Sequence, residues 1–200
     1  MAERIKLNKV SLREQKQKLA LYQRFLPALE ARKQQFLMQL GVVRKDILKQ
    51  EAALAALLEE MSLWSPLIQD MESLLRSFIE IREVKVFMHN VAGLKIPMFR
   101  EVIFQDLTYS VFATSYSFEI VLGRLRAAIR LREELRILRE QERILSEGFR
   151  KTSQRINLYE QRLIPDGREA LRKISVYLQD QQAAAVGVAK VAKRLLEAGL

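Results

Sequence analysis

An apolar residue recurs at alternating steps of three and four along the first third of the chain. The positions are Leu19, Tyr22, Leu26, Leu29, Lys33, Phe36, Leu40, Val43, Ile47, Gln50, Leu54, Leu57, Met61 and Trp64, and twelve of the fourteen are apolar. A seven-residue period held this long marks a coiled-coil seam. An ordinary globular helix rarely exceeds about 20 residues. The pattern predicts one helix over 12–64, which at 1.5 Å per residue is a rod of roughly 80 Å. A rod with one apolar stripe needs a partner of similar length.

The second half of the chain supplies one. A helix starting at Ser115 or Ser117 carries Phe118, Val121, Leu125, Ala128, Leu131, Leu135, Leu138, Leu145, Phe149, Ile156, Tyr159 and Leu163 at steps of three and four, with Glu142 and Thr152 at two polar places. Pro165 and Gly167 predict a break or kink. The stripe resumes at Leu171, Ile174, Leu178, Gln181, Ala185, Val188, Ala192 and Leu195. The step from Leu163 to Leu171 is eight residues rather than seven, so the stripe drifts there. In the first helix Pro27 removes a backbone bond at a cost of about 3 kcal/mol. A kink near 22–26 is expected, with the helix continuing. Gly41 follows the seam residue Leu40 and would permit close approach of a neighbour.

Between the two rods the pattern changes. Ser65 followed by Pro66 is a cap followed by a helix-starting proline, and predicts a short helix reaching about Arg82. Val84 and Val86 then alternate with Glu83 and Lys85, and Leu94, Ile96 and Met98 alternate across Lys95 and Pro97. With Asn90-Val91-Ala92-Gly93 between them, 83–98 reads as a β-hairpin, its second strand an edge or ending at Pro97. Residues 99–114 fit a loop, a short strand or a helical turn. The fold class is therefore all-α dominated: a long antiparallel two-helix coiled coil with a small central module containing a β-hairpin. The divisions are 1–64, 65–114 and 115–200.

Composition narrows the function. There is no cysteine, hence no disulfide framework or thiolate metal site. His89 is the only histidine, so a metal site would lack ligands, and a structural or solvent-facing role is expected. Neither G-x-x-x-x-G-K nor G-x-G-x-x-G occurs, and no nucleophile–base constellation is present. The expectation is no catalytic, cofactor-binding or metal site. Residues 1–18 lack the apolar core of a secretory signal, and no apolar run is long enough to span a bilayer.

The net charge of +10 is uneven: 1–50 carry 12 Lys/Arg against 4 Asp/Glu, while 51–115 carry 5 against 9. An acidic middle argues against a nucleic-acid sleeve. Arg124, Arg126, Arg130, Arg132, Arg136, Arg139 and Arg143 stud one helix among Glu133, Glu134, Glu140 and Glu142. They read either as a solvated face with intrahelical pairs or as a contact for an acidic protein surface.

Three stretches carry a resemblance. They are Leu7-Asn8-Lys9-Val10-Ser11-Leu12 before the basic helix, the central Asn90-Val91-Ala92-Gly93-Leu94-Lys95-Ile96-Pro97, and Arg155-Ile156-Asn157-Leu158-Tyr159-Glu160-Gln161-Arg162-Leu163-Ile164-Pro165. In this order and spacing the chain resembles the D subunits of the V-type (archaeal/vacuolar) rotary ATPases, most like the bacterial members, over essentially its whole length. It departs from the family at Pro27 and in its alanine-rich end. The resemblance implies a non-catalytic rotor shaft transmitting torque between the nucleotide-hydrolysing hexamer and the membrane ring, which moves protons or sodium ions. The implied partners are the A and B subunits, the F subunit and an adapter subunit, with no nucleic acid and no direct membrane insertion. The implied place is the cytoplasmic side of a membrane-bound complex. A plain coiled-coil scaffold or tether is the competing reading, but a tether has no need of a folded module at its bend.

Overall fold

The structure, a computed structural model, describes residues 6–105, 116–197 and 199. The elements run α1 (Lys9–Ser62), α2 (Ser65–Asp70), α3 (Glu72–Phe78), β1 (Ile81–Val91), β2 (Leu94–Phe104), α4 (Tyr116–Leu158), a π-helical turn (Tyr159–Leu163) and α5 (Ile164–Glu197). The chain is dominantly helical around one antiparallel hairpin. It divides into two compact units, Met1–Arg32 with Lys151–Leu200 and Lys33–Arg150. Each contains a segment of α1.

Asn8 starts α1, its Oδ1 accepting from the Ser11 backbone N–H at 2.6 Å. This satisfies one of the donors a helix start leaves unpaired. Asn8 thus caps the helix. The helix runs unbroken through Pro27. Every one of the fourteen seam positions is buried or half-buried.

In the 33–150 unit α1 and α4 pair antiparallel. Arg44 meets Glu142, Gln50 meets Glu134 and Glu60 meets Arg124, so the partner's number falls as α1 advances. Phe36, Leu40, Val43 and Ile47 bury against Leu135, Leu138 and Leu145. Each such side chain contributes roughly 1.5–3 kcal/mol. The polar seam places are all occupied. Lys33 Nζ lies 5.9 Å from the Phe149 ring centroid, Gln50 Nε2 donates to Glu134 Oε1 at 2.9 Å, and Glu142 accepts from Arg44 at 2.7 Å.

A second stripe of α4, Glu133, Ile137, Gln141 and Gly148, is also buried. The hairpin accounts for this cover near Gly148. Ile96 is fully buried in the same core as Phe36 and Leu145, and Val91, Ala92, Leu94 and Met98 pack around it. The close approach expected at Gly41 is absent there, since nothing lies within 4 Å of where its Cβ would be. It occurs at Gly148, where a Cβ would overlap Leu94 Cδ1.

The hairpin is longer than 83–98, because both strands extend by pairing Ile81 with Phe104 and Val84 with Val102. Pro97 stays inside β2 opposite Met88. A two-stranded sheet has only edges, so a missing N–H there breaks no central ladder. Ala92 (φ 49°) and Gly93 (φ 83°) form the two-residue turn. Positive φ at both places is the type I′ geometry that matches strand twist. Asn90 Oδ1 accepts from the Gly93 N–H at 3.0 Å.

The single helix expected from Ser65 to about Arg82 is two short ones. Trp64 occupies the cap position without a side-chain cap bond, Ser65 is the first helical residue, and Met71 (φ −103°, ψ 3°) separates α2 from α3. Ile81 and Arg82 belong to β1, which ends the helical stretch early. In the same unit Leu75, Phe78, Phe118, Val121 and Leu122 form a second core, in which Phe78 meets Phe118 edge-on at 5.6 Å. Of the ambiguous 99–114, residues 99–104 are strand and 106–114 lie outside the described residues. So does Ser115, one of the two candidate starts of α4.

In the other unit Tyr22 packs edge-on against Tyr159, with ring centroids 5.3 Å apart. Ile156, Ile164, Ala170 and Ile174 are buried. Where Pro165 and Gly167 predict a break or kink, the helix does not break but changes type. The π turn precedes Pro165, and the helix continues to Glu197. The resumed stripe stays covered as far as Leu178, and every residue of 179–197 is exposed.

Candidate interaction surfaces

The arginine run of α4 is held largely by carboxylates of the same unit. Arg124 reaches Glu60 at 3.0 Å, Arg139 reaches Glu51 at 2.8 Å, and Arg143 is paired with Glu140. Arg132 and Arg136 both hold Glu133, whose carboxylate is otherwise buried. The reading of intrahelical pairs holds for Arg132, Arg136 and Arg143, while Arg124 and Arg139 pair across to α1 instead. The cross-helix pairs are 40% exposed or more, apart from Glu142 at 31%. Each contributes roughly 0–1 kcal/mol and serves the register of α1 on α4 more than its strength.

Arg126 has a separate role. Its Nε and Nη2 donate to the Phe78 carbonyl at 3.2 and 3.0 Å, and its guanidinium stacks 5.1 Å from the Phe104 ring. One side chain thus ties the end of α3 and the end of β2 to α4. Spacing alone could not separate Arg126 from its neighbours, because its partners are remote in sequence.

Apolar residues are exposed together at several places among the described residues. The hairpin exposes Val86, Phe87 and Met88. Val86 and Met88 share the face away from Ile96, with Lys85 and Glu101 bridging the strands beside them at 2.7 Å. A groove of about 330 Å³ is lined by Leu63, Trp64, Pro66, Ser117, Ile120 and Val121, with Leu63 79% exposed. In the other unit α5 presents Val186, Val188, Val191, Leu195 and Leu196 to solvent. On the opening of α1, Lys9, Arg13, Lys16 and Arg24 are all exposed and, at spacings of three, four and eight, share one face.

His89 is exposed on β1 opposite Ile96. Among the described residues no three His, Asp or Glu side chains cluster as metal ligands, and no described helix is long and apolar enough to cross a membrane. Titration is perturbed at surface pairs. A hydrogen bond from Lys85 holds Glu101 below the usual carboxylate range, and Arg143 and Lys173 do the same for Glu140 and Glu169. These are exposed pairs, not a tuned acid–base site.

Paired long helices with a hairpin seated on one of them define a coiled-coil protein. The family model that describes the D subunit of ATP synthase matches residues 11–194. The chain is 34% identical to the V-type ATP synthase D subunit of Borreliella burgdorferi strain B31, over 96% of this chain and 95% of that protein. It is 32% identical to the protein of the same name in Chlamydia pneumoniae, over 98% and 95%, and 31% identical to that of Chlamydia caviae, over 98% and 96%. The chain belongs to the family of ATP synthase D subunits.

Proposed function

We propose that this chain is the central rotor shaft of a V-type rotary ATPase/ATP synthase. It transmits torque between the A/B hexamer and the membrane ion-translocating ring, and has no catalytic site of its own. The shaft is formed by the divisions 1–64 and 115–200, with 1–30 and 165–200 inside the hexamer. The module 65–114 faces the adapter subunit, and the F subunit binds the side of the shaft. The chain sits peripherally on the cytoplasmic side of the membrane.

The observation that carries this reading is the seam. It stays covered through Lys33, Gln50 and Glu142, and each of these three polar residues has a partner. A seam kept in register resists sliding of one helix on the other, which transmission of torque requires. The exposed end of α5, with small residues such as Ala185, Ala189 and Ala192, supports a slim end able to turn within a ring.

A tagged copy recovered from native extract should bring two large nucleotide-binding subunits and a small partner, with ATP hydrolysis. Recovery of nucleic acid or unrelated proteins without those subunits would return the chain to the tether reading.

A further inference from the structure

From Lys151 onward, along the end of α4 and through α5, the buried positions are Thr152, Ile156, Ile164, Ala170 and Ile174. The step from Ile156 to Ile164 is eight residues, one more than a heptad. The extra residue is absorbed between them, in the π turn Tyr159–Leu163, where the Ile164 N–H donates to the Tyr159 carbonyl five residues back. A π turn is a wider turn that takes in one additional residue. The helix downstream re-enters the seam in phase, with Ile174 fully buried.

Two prolines weaken the same unit. Pro165 has no N–H for the Gln161 carbonyl, and its ring would collide with that carbonyl in an α-helix. Pro27 leaves the Gln23 carbonyl without its helical donor in the same way. Gln23 and Gln161 are both exposed, so water can take up these carbonyls. The sites are linked across the seam, because Tyr22, one residue before Gln23, packs on Tyr159, the first residue of the π turn. Leu19 lies beside Gly167 just beyond it. Both helices thus give up regular backbone bonding within about a turn of one side-chain contact.

We propose that residues 22–27 and 159–165 form a compliant joint, which opens and twists before the helix on either side does. Its mechanical use rests on the shaft reading, but its existence does not, and the test needs only the full chain. Hydrogen exchange followed by mass spectrometry should show the amides of 22–26 and 159–164 exchanging at least about tenfold faster than those of 36–47 and 135–145. Deleting Gln161 together with Pro165→Ala leaves the seam seven residues apart and permits an α turn. Exchange at the remaining residues of 159–164 should then slow about tenfold. Equal protection in the unaltered chain would overturn the joint. So would faster exchange in the deletion variant, because the extra residue would then be required for register. If the joint stands while the extract experiment fails, only the rotor reading falls.

Discussion

Gly148 on α4 lies against Leu94, the first residue of β2, closely enough that a methyl group at 148 would overlap Leu94 Cδ1. This contact seats the hairpin turn on the coiled coil beside Phe36. Gly148→Val should therefore cost about 1–3 kcal/mol through overpacking, despite valine's better helix propensity. Gly41 and Gly123 have nothing within 4 Å, and alanine at either should add up to about 1 kcal/mol. Urea unfolding of the three variants measures the contrast. Equal effects at 148 and 41 would show that the hairpin is not seated through this contact.

Arg126 is the second anchor of the central module. Arg126→Met removes two charged donors from the Phe78 carbonyl and the stack on Phe104. The expected loss is about 2 kcal/mol, in the range for hydrogen bonds to charged groups. Arg126→Lys should rescue little, since an ammonium cannot present the fork and the flat face together. Thermal unfolding of both variants checks this, and full rescue by lysine would mean that charge alone matters.

The turn holds a local misfit. Ala92 sits at φ 49°, where a Cβ costs about 1–2 kcal/mol. Ala92→Gly should stabilise the chain by about 1 kcal/mol, read as a higher urea midpoint at unchanged slope. A lower midpoint would show that the Ala92 methyl in the core around Ile96 is worth more than the strain.

Glu101, Glu140 and Glu169 have carboxyls held below their ordinary value of 4.5 by Lys85, Arg143 and Lys173. A carboxylate depressed on folding adds stability above its unfolded pKa and loses it as pH falls through the folded one. Stability should fall as pH drops below about 4.5, and the loss should shrink in 1 M salt because the pairs are exposed. Lys85→Gln should remove the Glu101 share. An acid limb unchanged by salt would assign it to buried groups instead.

Both seams were legible in the sequence, the second only as far as Leu178, because a heptad period is a local signal, repeated often enough to survive Lys33, Gln50 and Pro27; the positions read from Gln181 to Leu195 are exposed. A drift of the stripe near Leu163 also showed, and the structure places a π turn just before it, between Ile156 and Ile164. Less legible was whatever depends on remote partners. Gly148 rather than Gly41 is the close approach, because Leu94 is far from it in the chain. The α4 arginines pair mostly within their own unit. An acidic residue at Arg124 or Arg139 would face Glu60 or Glu51, so charge reversal there disturbs the pairing of α1 with α4 as well as any outside contact. The extent of β2 was hidden by Pro97, whose exclusion from central strands has no force in a two-stranded ribbon.

The proposed shaft must turn. The chain has no cysteine, so Met88→Cys, at a side chain 66% exposed on the hairpin, offers a unique attachment point for an optical probe. With the nucleotide-binding hexamer of the purified complex fixed to a surface, ATP should drive unidirectional rotation of the probe. ATP hydrolysed at the full rate while the probe stays fixed in angle would contradict the account.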